Sequence, residues 1–327
     1  MEFMSTYPFT LQNHTPSYLD NLAAFLERYR AACPDAKLIS AGFYTYHPAL
    51  ENGQNVFCVL DGEGQIRGFA PLFPAPVGDD AAPSDPHHIW MILLADPTFD
   101  EVAQVRELLL GPVLERARVL AAHFPSNRPT RLASDMMISQ QADIAFLEQH
   151  GFARYDSMYV MQRTASDPIA EILVPAELTL RNWKLSSELE QQQYLHAYNQ
   201  GFPDNPKTLA TLKFLLDSPM WRADLPTAGG MALAAFDQNE ELVASILVYP
   251  SEDGFYSITD DVFVLPAWRG RGITKALIAE GLRYAQAQSF AKIRLEVKQS
   301  NQPAIAVYRA MGYETINQEV FLGLFLK

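Results

Sequence analysis

An internal repeat constrains this chain more than any other feature. Residues 57–74 read FCVLDGEGQIRGFAPLFP and residues 233–250 read LAAFDQNEELVASILVYP, and the two align without a gap. Each holds an apolar strand, an aspartate (Asp61, Asp237), a polar turn, a second apolar strand and a closing proline (Pro74, Pro250). That alternation around a turn is the pattern of a β-hairpin. The halves stay parallel afterwards. Each has a strand (Ile89 to Ala95; Ser257 to Leu265), then Pro97 or Pro266, then a long amphipathic helix (Val102 to His123; Gly270 to Gln288). Ile273, Leu277, Gly281 and Tyr284 share one stripe of the second helix. A strand follows (Thr130 to Ser134; Lys292 to Val297), then a shorter helix ending in Gly151-Phe152 or Gly312-Tyr313. Strand-like tails close both halves (Tyr155 to Gln162; Val320 to Phe325).

The pattern predicts a tandem duplication of one α+β unit, each a central mixed, mostly antiparallel sheet flanked by helices. The length of 327 residues suits two domains. The segment Thr164 to Glu177, with Pro168 and Pro175, is the expected joint, giving domains over 1–167 and 168–327. Beyond it Leu178 to Lys184 reads as a strand, and a helix begins near Ser187 with Glu190 completing a capping box. Pro74 to His88, rich in Pro and Asp, reads as a surface excursion.

Composition narrows the chemistry. Apolar residues make up 48% and charged residues 19%, which supports packed cores. A net charge of −13 with no long basic stripe argues against nucleic acid and suits a cationic acceptor. Cys33 and Cys58 match no metal motif and read as reduced thiols. The adjacent His87-His88 lacks a third ligand nearby, so no metal is expected. The longest apolar run, Ile89 to Ala95, is too short to span a bilayer, and Met1 to Thr10 is not a signal peptide. A cytoplasmic monomer or homodimer, off the membrane, is the expectation.

The informative stretch is Asp260-Asp261-Val262-Phe263-Val264-Leu265-Pro266-Ala267-Trp268-Arg269-Gly270-Arg271-Gly272-Ile273-Thr274. A strand runs into a glycine-containing turn that opens a helix. A helix start offers unpaired N–H groups and a positive dipole end. Gly270 and Gly272 remove side chains that would block a ligand, while Arg269, Arg271 and Lys275 add cations. The combination predicts an anion-binding loop fit for a pyrophosphate.

This stretch resembles the signature of the GNAT superfamily of acyl-CoA N-acetyltransferases: Arg or Gln, two residues, Gly, one residue, then Gly or Ala. Here it reads Arg269-Gly-Arg-Gly272-Ile-Thr274, with Thr274 departing at the last position. Downstream, Asn301-Gln302-Pro303-Ala304, Val307-Tyr308 and Met311-Gly312-Tyr313 resemble the family helix that flanks the CoA thiol. The likeness covers residues 178–327, and the first half only in architecture. The tandem arrangement resembles that of mycothiol synthase and related two-domain members. The resemblance implies acetyl-CoA as cosubstrate and a small-molecule or peptide amine as acceptor. It also implies that backbone amides of Val262, Phe263 and Val264 hold the pantetheine arm, that residues 269–274 and Asn301 bind the cofactor, and that Tyr308 protonates the thiolate. A phenol of pKa about 10 can share a proton with a thiol of about 8.5 when pre-positioned. For the base, Asp260, Asp261, Glu296 and a water chain stay open; strand alternation would put Asp260 and Asp261 on opposite faces. Tyr308 could instead be plain core, and Asn301 only an N-cap.

The first half lacks these features. Pro97-Thr98-Phe99-Asp100-Glu101 stands opposite Pro266-Ala-Trp-Arg269-Gly270, and Leu147 opposite Tyr308. Asp96, Asp100 and Glu101 would cap the helix start and repel a pyrophosphate, so this half is expected to have lost its cofactor site. Asn199, Phe202, Phe214 and Trp221 fall where the family builds its acceptor wall. A non-catalytic acyl-CoA-binding or sensor module is the alternative function, and transfer of a longer acyl group a third.

Overall fold

The computed structural model describes residues 9–78, 84–203, 206–218, 221, 230–251 and 254–326. The side chain of Phe214 and part of the excursion between Pro74 and His88 lie outside the described residues. The first run of elements is β1 (Thr10–Asn13), α1 (Leu19–Ala32), α2 (Ala41–Tyr46), β2 (Val56–Leu60), β3 (Ile66–Ala75), β4 (His87–Met91), β5 (Leu94–Ala95), α3 (Val102–Ala121), β6 (Thr130–Met137), α4 (Gln141–Gln149) and β7 (Ala153–Thr164). The second is β8 (Thr179–Trp183), α5 (Glu188–Gly201), α6 (Leu209–Leu216), β9 (Met231–Phe236), β10 (Leu242–Pro250), β11 (Tyr256–Val264), α7 (Ile273–Ala287), β12 (Lys292–Lys298), α8 (Gln302–Ala310) and β13 (Glu314–Leu326).

Both repeated hairpins form: β2 pairs antiparallel with β3, and β9 with β10. In each unit the next strand adds antiparallel and the one after the long helix adds parallel, as β4 with β6 and β11 with β12. The sheets are therefore mixed and mostly antiparallel, as the repeat predicted. The capping box of α5 is present, with Ser187 accepting from the Glu190 N–H and Glu190 reaching back to Ser187. It satisfies two helix-end donors.

The chain divides into two compact units, Met1–Ser157 with Glu319–Lys327, and Met158–Gln318. This division differs from an expected joint at Thr164 to Glu177. The last strand of each repeat is the reason. Met158–Thr164 of β7 pairs antiparallel with β12 in the second unit. Glu319–Leu326 of β13 pairs antiparallel with β6 in the first. Each repeat thus supplies its closing strand to the other's sheet.

Helices cover both faces of each sheet. In the first unit Val105, Leu109 and Val113 of α3 pack on Ala70, Leu72 and Ile89. On the other face Leu22, Phe25 and Leu26 of α1 pack on Cys58, Ile66 and Phe69. In the second unit Ile273, Leu277 and Ile278 of α7 cover Ile246, Val248 and Leu295. Tyr194, Leu195 and Tyr198 of α5 cover Ala232, Leu247 and Phe263 on the opposite face. All nine residues of β10 are buried, and its run is apolar except for Ser245, whose hydroxyl donates to the Leu233 carbonyl.

Leu322 of β13 is fully buried in the first core and sits opposite Ser134. Leu322→Ala should cost about 2–5 kcal/mol. In a hydrogen-exchange experiment protection should fall at Thr130–Met137 and persist at Lys292–Lys298.

Candidate functional site

The site grows from a departure in the ladder of β11. Ser245 faces Phe263, but Leu247 faces Asp260. Three residues of β10, Ser245 to Leu247, therefore face four of β11, Asp260 to Phe263, and Ile246 stands opposite both Asp261 and Val262. This is a β-bulge, and Asp261 at its first position has φ +46°. On its other side β11 pairs with β12 only from Tyr256–Lys292 to Ile258–Arg294. Beyond Ile258 no pairing between these strands occurs among the described residues. Thr259 to Val264 thus presents a strand edge to an opening, and unpaired edge amides are donors in want of acceptors.

The bulge resets the alternation. Asp260 accepts a hydrogen bond from Tyr249 Oη at 3.0 Å, and Asp261 accepts one from Tyr194 Oη at 3.0 Å. Both tyrosines belong to the cluster under α5. The two carboxylates therefore share one face, and the expectation of opposite faces is corrected. Thr259 lies on the other face, 3.5 Å from Tyr313 Oη. Phe263 is buried with Tyr194 and Tyr198, while Val262 and Val264 pack on the α7 side.

Their surroundings separate the two acids. Asp261 is buried and held by Lys207 Nζ at 2.5 Å from each oxygen. Burial and the neighbouring Asp260 carboxylate push its pKa up to about 6, against the pull of Lys207 and Tyr194. Asp260 is half-buried, with Tyr249 on one oxygen and the Asp261 N–H on the other at 2.8 Å. Glu296 is exposed on β12, and its charge reaches Tyr249. The Tyr249 phenol is pushed well above its ordinary range, first by burial and then by Asp260.

At the far end of β11 the chain turns through Gly270 and Gly272, both with φ +78°, and Gly272 caps α7. A Cβ at either position would meet nothing within 4 Å, so the mouth of the helix is open. No side chain caps it and no acid stands in its first turn, which leaves its first N–H groups to an anion. The arginines are placed differently from the expectation. The Arg269 guanidinium donates to the carbonyls of Val264 at 3.1 Å and Gly201 at 3.0 Å, bracing the turn. Arg271 lies over the Trp268 ring at 4.7 Å and contacts Glu177 at 3.3 Å. Lys275 is exposed on the first turn, whereas Ile273 is buried and Thr274 half-buried.

Asn301 caps α8 by accepting from the Ala304 N–H at 3.2 Å. Tyr308 is buried against Tyr313, ring centroids 6.0 Å apart, and no protein partner for its hydroxyl occurs among the described residues. Burial, then Tyr313 and Asp260, raise its pKa. Of the suggested acceptor wall, Trp221 is buried beside Tyr249, Phe202 packs on Tyr198, and Asn199 brackets the backbone of Lys207. Lys207, Tyr194 and Tyr249 were not singled out from sequence; Lys207 and Tyr194 lie 54 and 67 residues from the acid they contact.

In the first unit the strands also part, since pairing of β4 with β6 stops at Trp90–Ala133, but among its described residues it lacks the bulge, the glycine turn and the tyrosine. Leu72 faces Met91 and Phe69 faces Leu94, four residues for four, so no residue is inserted. Asp96, rather than Asp100 or Glu101, ties the turn before α3: it accepts from Thr98 N and Oγ1 and from Arg28 and Arg67. Glu101, at the N-cap, makes no side-chain cap, and no acid stands in the first turn. Past β6, Gln140 accepts the Met137 N–H and donates to Tyr29, which donates to Asp143, itself paired with Arg106. The recess left among Ile92, Leu94, Met137 and Gln140 is about 30 Å³, room for little more than water.

Comparison with known proteins finds likenesses in sequence and in fold. Residues 189–313 match the acetyltransferase (GNAT) family. Mycothiol acetyltransferase of Nocardioides sp. is 26% identical over 61% of this chain and 72% of its own length. That of Thermomonospora curvata is 26% identical over 77% of this chain and 76% of its own. In fold, the chain is similar to a GCN5-related N-acetyltransferase from Sphaerobacter thermophilus (TM-score 0.71, 19% identity, 98% of this chain and 96% of that one). It is also similar to a tandem GNAT protein from the clavulanic acid biosynthesis pathway (TM-score 0.69, 14% identity, 98% and 99%).

Gly272→Ala isolates the backbone demand of the helix mouth, because the new methyl would touch nothing. Holding φ near +78° should cost about 1–2 kcal/mol, read as a lowered denaturant midpoint at unchanged m-value.

Proposed function

We propose that this chain, whose second unit is a GNAT acetyltransferase domain, moves an acetyl group from acetyl-CoA to the primary amine of a small, cationic acceptor. The observation that carries the reading is the bulged β11, parted from β12 beyond Ile258 and leading to a glycine-opened helix mouth. The cosubstrate fits this frame. The mouth of α7 offers N–H groups to a diphosphate, and the parted edge of β11 offers hydrogen-bond donors to an extended amide-bearing arm. Acetyl-CoA would supply the acyl group, already activated as a thioester.

The chain's own residues then divide the work. Asp260 is the favoured base: it is partly accessible and lies at the parted edge, whereas Asp261 is committed to Lys207 and Tyr194. Glu296 adds negative charge on the same side and helps attract an ammonium. Tyr308 is the proton donor to the departing sulfur. Its raised pKa keeps it protonated, and its hydroxyl is not engaged by another described residue. Asn301 acts first as a helix cap. Arg269 braces the loop from behind, and Arg271 and Lys275 supply positive charge beside the mouth in an acidic protein.

Among its described residues the first unit has no inserted residue and no glycine-opened helix mouth, so its proposed role is structural, without a cofactor of its own. The relatives' name, mycothiol acetyltransferase, favours a small molecule over a protein as acceptor. The cytoplasm is the proposed compartment, in keeping with two unpaired thiols.

Tyr308→Phe keeps the ring packing and removes only the donor. Thiol release from acetyl-CoA should be followed with glucosamine, spermidine, an aminoglycoside and a peptide N-terminus. The variant should lower kcat about 100-fold or more while CoA affinity by calorimetry stays within about twofold. Wild-type protein that binds CoA yet releases thiol with none of these amines would instead support a binding module.

A further inference from the structure

Asp261 occupies a conformation that glycine would hold without strain. Its φ of +46° at the first position of a bulge lies in the left-handed region, where a side chain costs energy. Its carboxylate is also buried, which costs more unless it is paired. Two unfavourable features at one residue imply that the side chain does something a glycine could not.

Its contacts show what that is. Lys207 Nζ sits 2.5 Å from both oxygens, and Tyr194 Oη donates to one at 3.0 Å. Tyr194 stands in the middle of α5, and Lys207 precedes α6. Lys207 is itself fixed. Its N–H donates to Asn199 Oδ1 at 2.8 Å, its carbonyl accepts from Asn199 Nδ2 at 3.1 Å, and its ammonium lies 4.9 Å from the Tyr198 ring centroid. Asn199, Tyr194 and Tyr198 belong to one helix, so α5, the residues before α6 and the bulge form a closed mechanical loop. The first unit, with no inserted residue in the matching strand, has no side chain in this position to hold.

We propose that Lys207 is a positioning residue which, with Tyr194, holds the β11 bulge at the acyl site and ties it to the wall on which the acceptor docks. This rests on the acyl-transfer reading above. The tie depends on Asp261 being ionised. The titratable groups facing it are Asp260 on β11, Tyr194 on α5, Tyr249 on β10 and Lys207. Burial and Asp260 raise its pKa to about 6. As pH falls through that value the carboxylate takes up a proton, the ion pair is lost, and the bulge is released.

Three variants test this: Lys207→Met, Asp261→Gly and Asp261→Asn. Each is assayed with acetyl-CoA and the best amine of the panel above, and its CoA affinity is measured by calorimetry. Lys207→Met should lower kcat at least tenfold at every pH and lack the acid limb near pH 6, with CoA affinity within threefold of wild type. Asp261→Gly, which suits the backbone but has no anchor, should fold and lose kcat to a similar extent. Asp261→Asn cannot ionise, so it should lower kcat at every pH to about the extent of Lys207→Met and lack that acid limb. Wild-type kcat with an unchanged pH profile in Lys207→Met, or full activity in Asp261→Gly, would overturn the proposal. If no amine turns over, hydrogen exchange decides: Tyr256–Val264 should lose protection in Lys207→Met, and unchanged protection counts against the tie. Failure of wild-type protein to bind CoA would refute the acyl-transfer reading and leave the exchange test standing.

Discussion

One inserted residue in β11 sets the geometry on which the second unit depends. The strands part in both units, β4 from β6 after Trp90 and β11 from β12 after Ile258, but of the two only β11 carries an extra residue. The extra residue bends the strand, and pairing with β12 stops after Ile258. The parted edge provides donors, the bend aims two carboxylates toward α5, and the strand's end delivers the chain to the glycine turn before α7. A bulge carrying a buried acid does not hold itself. Lys207 and Tyr194 supply the opposing charge and the hydrogen bond that make burial of Asp261 tolerable.

The two units together form an internal control. They share the hairpin, the parallel strand pair and the helix layers, and their cores are built from the same pattern of apolar residues. They differ where chemistry would occur. The first keeps its strand register, gathers Arg28, Arg67 and Thr98 on Asp96 before its long helix, and satisfies the end of β6 with Gln140. Those are ways of completing a fold. The second leaves the matching positions open, with glycines at the helix mouth and a tyrosine hydroxyl unengaged among the described residues. A fold tolerates both outcomes, because its stability lies in the cores while a site depends on a few residues at the strand ends.

Much of this was legible in the residues. The hairpins, the long helices, the capping box at Ser187 and the glycine turn all announce themselves locally, through alternation, periodicity and turn chemistry. The same local logic misled at Asp260 and Asp261, since alternation assumes an unbroken ladder and the bulge breaks it. It also misled at Arg269. A cation next to a glycine loop reads as a ligand for phosphate, but the guanidinium finds two backbone carbonyls instead. The early helices α1 and α2, and α6, carried no signal that was read, and the exchange of closing strands carried none at all.

By itself the sequence determined the α+β repeat, the glycine turn at the helix mouth and the likeness of residues 189–313 to the acetyltransferase (GNAT) family, because each follows from contacts between near neighbours in the chain. The tertiary structure decided which acid is accessible, which is braced, and which strand closes each sheet. Those outcomes join Lys207 and Tyr194 to Asp261, and β13 to β6, across long stretches of chain. Charge and burial are properties of the assembled neighbourhood, so no local pattern could carry them.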